Sequence, residues 1–198
     1  MRGQVRHKMV QGASRVLARR GLHATAFSEV LAVTGASRGS IYHHFPGGKA
    51  ELIEAVLEDY GGRTDDALQA LHGQPLMSVV RGALALWRAR LVEEDCQAGC
   101  PVAAVALAAD SPRLESDCRA IFDDWIATLS GALFAGGLKC TDGAKALATL
   151  VMASMEGGTV LARAQGSIEP YDVMARQVLA YAEHVVAANA ATTGRRAA

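Results

Sequence analysis

No run of about 20 apolar residues occurs in the 198-residue sequence, so we expect no transmembrane helix. The N-terminal stretch "MRGQVRHKMVQGASRVLARRG" interrupts its apolar residues with charged ones and lacks the apolar core of a signal peptide. Aromatic residues make up only 5% of the chain, and segments rich in β-branched and aromatic residues are nearly absent. Alanine is abundant, which favours helices. These features predict an all-α, cytoplasmic protein.

The four cysteines, Cys96, Cys100, Cys118 and Cys140, form no CxxC pair, and no histidine lies near them at the spacing of a metal site. We therefore expect no metal and no cofactor. In a cytoplasmic chain such thiols are reduced and packed as small apolar groups. A thiol-based redox or electrophile sensor remains an alternative, because a free cysteine with a lowered pKa is reactive.

The net charge is zero, but the charge is unevenly distributed. Residues 1–49 contain eight Lys and Arg and one acid, Glu29, for a local charge of +7. Residues 50–198 contain twelve basic and nineteen acidic side chains, for a charge of −7. A basic N-terminal segment suits a polyanion, most simply nucleic acid. On charge alone, a solvated basic surface explains the pattern equally well.

The basic segment also shows a short helix with two contrasting faces. Apolar periodicity and glycine breaks predict helices over residues 4–20, 27–34 and 38–45, with Ser37 as the N-cap of the third. Ile41 and Phe45 would anchor this third helix, and its polar residues would face outward. A helix divided in this way, joined to its predecessor by "VTGAS", is typical of a helix-turn-helix. Its N-terminal residues would reach base edges in the major groove.

The segment "ATAFSEVLAVTGASRGSIYHHFPGGKAELIEAVLEDY" resembles the DNA-binding domain of the TetR (tetracycline-repressor) family of bacterial regulators. The matching residues are Gly35, Ser37, Tyr42, His44, Phe45 and Lys49. The resemblance implies a palindromic double-stranded operator, bound by a dimer. It implies contacts with the DNA backbone or bases by Thr25, Ser28, Ser37, Arg38, Gly39, Ser40, Tyr42, His43, His44 and Lys49. Among these, Lys49 is expected to bind a phosphate, and Arg38 to read a base.

The remainder of the chain predicts further helices, about nine in all, and we divide the chain into three parts. Residues 1–48 form the helix-turn-helix domain, 49–72 a connecting helix, and 73–198 a ligand-binding and dimerisation domain. Within the last part, "GCPVAAVALAADSPRL" is similar to a TetR subgroup that includes repressors of multidrug and flavonoid-degradation genes. The implied function is a repressor released by a small lipophilic or aromatic inducer.

Two sets of residues in the C-terminal part carry the ligand and dimer predictions. Any single residue of the inducer set is more readily explained as ordinary core, and it is the group that indicates a site. The expected inducer site comprises Trp87, Leu91, Val105, Phe122, Trp125, Met152, Met155 and Glu156. The expected dimer interface comprises Leu147, Val151, Val173, Val178, Tyr181 and Val185. No catalytic constellation is evident, so we expect no enzyme. A small-molecule carrier or an enzyme with an incidental basic segment is the remaining alternative.

Overall fold

The structure is a computed structural model that describes the backbone of residues 2–196 and the side chains of residues 3–189. Within these residues the chain is helical apart from turns and loops and contains no strand, which confirms the predicted all-α fold. The helices of the described chain are α1 (Arg2–Ala24), α2 (Phe27–Thr34), α3 (Arg38–His44), α4 (Gly48–Gln69), α5 (Leu76–Glu93), α6 (Pro101–Ala106), α7 (Pro112–Ala135), α8 (Thr141–Gln165) and α9 (Glu169–Arg196).

Helix α1 is broken near its C-terminal end by Gly21, where φ is 78° and ψ is 176°. A side chain would strain this backbone conformation, so glycine suits the position. The sequence predicted that the first helix ends at this glycine. The chain instead adds a further turn after the break, as far as Ala24.

The caps predicted around α3 are present. Gly35 ends α2 in the left-handed conformation, with φ of 67°, and its N–H donates to the carbonyl of Leu31. The Ser37 hydroxyl then accepts a hydrogen bond of 3.2 Å from the backbone N–H of Ser40. A short helix of this kind depends on such caps, because few of its amides have intrahelical partners.

The chain folds as two compact units whose segments alternate along the sequence. The first, called the head unit here, comprises Met1–Thr64 and Ala98–Phe122. The second, called the body unit, comprises Asp65–Gln97 and Asp123–Ala198. The linear division into residues 1–48, 49–72 and 73–198 therefore differs from the compact units. The functional roles assigned to those three segments remain predictions.

The head unit includes α6 because this helix packs against α1. The backbone N–H of Gly99, just before α6, donates to the carbonyl of Ala18 in α1 over 2.8 Å. Cys118, in the first half of α7, donates through its thiol to the carbonyl of Val102 over 3.7 Å. Contacts between residues so far apart in the sequence cannot be predicted from a local pattern. The predicted division therefore placed α6 with the C-terminal part.

In the body unit, α9 is joined to α5 by two polar connections. The phenol of Tyr171 is fully buried and donates to the carbonyl of Leu84 over 2.8 Å. Burial raises the pKa of Tyr171, so the phenol stays protonated and serves as a donor. Arg88 and Asp172 form a two-pronged ion pair at the surface, at 2.8 and 3.0 Å. These contacts fix the direction of α9 across α5.

Candidate nucleic-acid interface and aromatic cluster

Helix α3 has the two faces that its sequence predicts. Ile41, within the helix, and Phe45, which follows it, are completely buried. Arg38, Gly39 and His43 are exposed on the other side. The helix therefore presents basic and small residues to solvent from a fixed apolar base.

Tyr42 extends this outward surface towards α2. Its side chain is 58% exposed, and its ring meets Phe27 edge-on with centroids 5.3 Å apart. The aromatic body is thus supported while most of the side chain stays in solvent. Ser28, the second residue of α2, is exposed as well, whereas Ser40 and His44 are half-buried.

Thr25 is the most deeply buried of the predicted DNA contacts. Its side chain is only 1% exposed, and its hydroxyl donates to the carbonyl of Gly21 over 2.8 Å. The hydroxyl thus stabilises the break in α1, and the contact of Thr25 with DNA remains a prediction. The Ser37 hydroxyl is likewise engaged as a helix cap, although that residue is exposed.

Lys49 lies in the first turn of α4 and is half-buried. Its ammonium donates to the carbonyl of Leu22 over 2.7 Å and lies 3.5 Å from the carbonyl of His23. Two further basic residues of the head unit have internal partners. Arg20 pairs with Glu29, and the guanidinium of Arg6 lies 5.1 Å from the centre of the Phe45 ring. Part of the basic charge therefore serves the fold.

The predicted inducer residues are divided between the two units. Val105, which is buried, and Phe122, which is half-buried, belong to the head unit, because α6 and the start of α7 fold there. The other six belong to the body unit. Of these, Trp87, Leu91, Trp125, Met152 and Met155 are buried, and Glu156 is half-buried.

An aromatic cluster lies among the body-unit residues. The indole N–H of Trp87 donates to the Glu156 carboxylate over 3.2 Å. The Trp125 ring meets Trp87 edge-on, with centroids 5.8 Å apart and planes at 87°. The Arg90 guanidinium lies 5.1 Å from the centre of the Trp87 ring. The indole of Trp87 thus connects α5 to α7 and α8.

A surface cleft that the sequence analysis did not predict lies within the head unit. Its volume is about 430 Å³, and it runs between α1, α4 and α7. Acidic residues at helical spacing on α4 form one wall, and a basic–acidic pair on α7 forms another. The charged lining residues are Arg6, Glu51, Glu54, Glu58, Arg113 and Asp117. The helical spacing of Glu51, Glu54 and Glu58 is the feature of the sequence from which an acidic wall could have been predicted.

Three residues expected at the dimer interface are buried within the single chain. Leu147, Val151 and Val178 face the interior of the body unit, so they offer no surface to a second chain. Val185 is half-buried. Val173 and Tyr181 of α9 are exposed, and α8 exposes three further apolar side chains, Leu150, Val160 and Leu161. The apolar face of α8 that solvent reaches is therefore different from the face chosen from the sequence.

Three of the four cysteines, Cys96, Cys100 and Cys118, are buried, and Cys140 is exposed. Burial and the neighbouring Asp117 raise the pKa of Cys118 to about 11. A thiol with such a pKa remains protonated at neutral pH and is a poor nucleophile. Among the residues that the structure describes, no three His, Cys, Asp or Glu side chains are grouped to hold a metal ion.

None of the described helices combines the length and apolar character needed to cross a membrane.

Comparison with known proteins identifies both parts of the chain. Residues 10–56 match the family "Bacterial regulatory proteins, tetR family", and residues 77–177 match "Transcriptional regulator LmrA/YxaF-like, C-terminal domain". The chain is 36% identical over 188 residues to the uncharacterized HTH-type transcriptional regulator Rv0196 of Mycobacterium tuberculosis, covering 87% of this chain and 91% of that protein. It is 30% identical over 183 residues to the uncharacterized HTH-type transcriptional regulator YxaF of Bacillus subtilis, covering 89% and 94%.

The fold is shared with solved regulators. A TetR-family transcriptional regulator from Agrobacterium tumefaciens superposes with a TM-score of 0.80 at 21% identity, covering 91% of this chain and 98% of that one. Taken with the helix-turn-helix geometry of α2 and α3, these matches confirm the resemblance: the chain belongs to the TetR family of helix-turn-helix transcriptional regulators, with an LmrA/YxaF-like C-terminal domain.

Proposed function

We propose that the protein is a ligand-responsive repressor that binds a palindromic operator as a homodimer and releases it when a small lipophilic or aromatic inducer binds. The observation that carries this proposal is the division of α3, with Ile41 and Phe45 buried and Arg38 and His43 exposed. A recognition helix needs a fixed base and an outward polar face, because its orientation decides which base edges its side chains reach.

The proposed DNA surface is formed by the exposed residues of α2 and α3. Arg38, at the N-terminus of α3, would pair with a guanine through two parallel hydrogen bonds. Tyr42 and Ser28 would contact the DNA backbone, since both are exposed at the edge of the same surface. His43 would lie beside the bases. Gly39 would allow the helix backbone to approach the groove closely.

Dimerisation is supported by the apolar residues that α8 and α9 leave exposed. Leu161 is 52% exposed and Tyr181 is 53% exposed, and Val160 is exposed beside Leu161 in the sequence. Large apolar side chains left exposed on α8 and α9 are typical of an interface between chains. A symmetric dimer is needed because the two recognition helices must enter successive major grooves about 34 Å apart.

The inducer would bind near the aromatic cluster of the body unit. Aromatic rings and thioethers adapt to flat apolar molecules, and Met152 and Met155 are buried in the same unit. The Glu156 carboxylate would orient a hydroxyl of the inducer. The thiol-sensing alternative is less well supported, because burial raises the pKa of Cys118 and three of the cysteines are not exposed.

The test is a gel-shift titration with duplex DNA from the protein's own promoter region, with and without a panel of lipophilic aromatic molecules. We expect nanomolar retention that one class of molecule abolishes. The same molecule must quench tryptophan fluorescence over the same concentration range, because one binding event would cause both effects. Since the coupling is reciprocal, operator DNA must in turn weaken binding of that molecule. Fluorescence quenching with no change in DNA retention would indicate a carrier and contradict the proposal.

The dimer has its own test with a matched pair of substitutions. Leu161→Glu places a charge on the exposed apolar face of α8 and should convert the dimer to monomers in light scattering. Phe134→Glu alters an exposed apolar residue of the same unit on α7 and should leave the dimer intact. A stable wild-type monomer of about 21 kDa at micromolar concentration would contradict the proposed assembly.

A further inference from the structure

We propose that the cleft between α1, α4 and α7 binds a small linear molecule with two or more ammonium groups, such as a diamine or a polyamine. The cleft lies wholly within the head unit, whereas the aromatic cluster belongs to the body unit. The proposal therefore concerns a second ligand and does not depend on the inducer or on DNA binding. The cleft volume of about 430 Å³ falls within the range of roughly 300–1,000 Å³ that is usual for small-molecule sites.

The lining of the cleft includes an apolar surface between its charged walls. Ala55 and Leu57 of α4 are buried, and Ile121 of α7 is half-buried. The two helices approach closely at Gly61, where an added Cβ would lie 3.2 Å from Cδ1 and Cγ1 of Ile121. Ile121 is therefore held in place by direct packing against α4. The methylene chain of a diamine would lie along this apolar surface, as the stem of a lysine does, with its charged ends at the walls.

The charged walls carry more negative than positive charge. They contain four carboxylates and two guanidiniums, which gives a net charge of −2. The three glutamates of α4, Glu51, Glu54 and Glu58, are spaced i, i+3 and i+7. They therefore form a row about 10 Å long on one face of the helix. A row of this length suits an extended ligand with cationic groups at intervals along it.

Both guanidiniums of the lining already have partners. The Arg6 guanidinium lies 5.1 Å from the centre of the Phe45 ring, and Arg113 donates to the Asp117 carboxylate over 3.0 Å. Glu58, by contrast, is exposed and makes no hydrogen bond or ion pair with any residue that the structure describes. The cations of the cleft thus leave part of its negative charge without a partner.

The uncompensated charge is concentrated at Glu54 and Glu58. The hydrogen bond and charge of Asp117 and, after them, the charge of Glu54 raise the pKa of the Arg113 guanidinium, so Glu54 lies near a cation that Asp117 has bound. Glu54 and Glu58 are four residues apart on α4, a spacing at which like charges repel each other. An ammonium group bound between them would relieve this repulsion and accept the role that no side chain of the cleft performs.

The arrangement of the carboxylates favours ammonium groups over a metal ion. A metal ion needs several ligands around one point, and no three His, Cys, Asp or Glu side chains of the described chain are grouped in that way. An ammonium needs only hydrogen-bond acceptors for its three donors, and two ammonium groups on one chain reach carboxylates at separate points. The ligand class that fits the cleft is therefore a linear polyamine.

The experiment is isothermal titration calorimetry of the full chain with spermidine and with pentylamine, in the absence of DNA. We expect saturable binding of one spermidine per chain, and binding about tenfold weaker or more for pentylamine, which offers a single ammonium for charge-assisted hydrogen bonds. The double variant Glu54→Gln with Glu58→Gln keeps the shape of both side chains and removes their charges. It should weaken spermidine binding about tenfold or more, whereas pentylamine equal to spermidine in the wild type would overturn the proposal.

Two further variants distinguish a built site from a loosely held counterion. Glu115→Gln removes a carboxylate from an exposed position of α7 outside the lining, and should leave spermidine binding unchanged. Ala120→Phe, at an exposed position of the lining, alters no charge but fills part of the cleft, and should weaken binding about tenfold. A loss for Glu115→Gln equal to that of the double variant, or no loss for Ala120→Phe, would show a diffuse counterion only. Either result, or the absence of saturable binding by the wild type, would overturn the proposal.

Discussion

Trp87 and Trp125 meet edge-to-face in the body unit, with ring centroids 5.8 Å apart and planes at 87°. They are the only two tryptophans of the sequence. Trp87 also donates its indole N–H to Glu156, and both indoles are buried. The cluster is therefore open to single-residue tests of stability and of ligand binding.

Trp87→Phe should destabilise the protein by about 1–3 kcal/mol, because it removes a hydrogen bond to a carboxylate and part of a buried ring contact. Equilibrium unfolding in urea measures the loss. Glu156→Gln keeps an acceptor oxygen for the indole and should cost less than Trp87→Phe. An equal or larger loss for Glu156→Gln would show that the Trp87–Glu156 hydrogen bond does not dominate the effect.

The Arg88–Asp172 pair gives stability a pH dependence with a defined sign. The hydrogen bond that the Asp172 carboxylate accepts from Arg88 lowers the pKa of Asp172 below the ordinary aspartate value. A carboxyl with a lowered pKa contributes stability that is fully present above its unfolded pKa, about 4, and is lost as pH falls through the folded value. Wild type should therefore be more stable to unfolding than Asp172→Asn at pH 6, and the difference should shrink as the pH falls towards 3. A difference that is as large at pH 3 as at pH 6 would contradict this account.

The fold was largely predictable because its signals are local. Ser37 caps α3, Gly35 ends α2 and Gly21 breaks α1. Each of these roles can be predicted from the residue type and its neighbours in the sequence. The membership of α6 in the head unit was not predictable, because it depends on Gly99 meeting Ala18, some eighty residues away in the sequence. A pattern within one helix reports which faces are apolar but not which other helix covers them.

The same limit explains the outcomes at the candidate sites. Both faces of α8 carry apolar residues, so periodicity did not distinguish Val151, which is buried, from Leu161, which is exposed. Lys49 was expected to bind a phosphate from the TetR resemblance and from its place at the start of a helix, and the structure adds a contact of its ammonium with the Leu22 carbonyl that the sequence did not predict. The exposure of Arg38 was easier to predict, because it follows from the burial of Ile41 on the opposite face.

The packing of α8 against α9 should tolerate no added methyl group at Gly158. A Cβ there would lie 2.7 Å from Met174 Cε and 3.1 Å from Tyr171 Cδ2. The methionine methyl could move, but Tyr171 is buried and hydrogen-bonded. Gly158→Ala should therefore lower the free energy of unfolding by about 1–3 kcal/mol through overpacking, offset in part by the higher helix propensity of alanine.

Gly131→Ala is the matched control, because nothing lies within 4 Å of its added Cβ and the substitution should stabilise the protein. Thermal unfolding that ranked the two variants in the opposite order would show that this contact is not close-packed.

Arg38 provides the sharpest test of the proposed base contact. It is exposed at the first position of α3, where a side chain of the recognition helix reaches furthest into the major groove. Arg38→Ala should cost about 1–3 kcal/mol at the best site and relax the preference at one base position.

Arg38→Lys separates the charge of this side chain from its geometry. The lysine keeps the positive charge but loses the planar fork that binds a guanine through two parallel hydrogen bonds. We therefore expect Arg38→Lys to retain the salt dependence of the wild type while relaxing the same base position as Arg38→Ala. Binding selections with a randomised operator measure the base preference, and titrations in salt measure the charge. A variant that kept the wild-type base preference while its salt slope fell by about 1 would place Arg38 on a phosphate and refute the base contact.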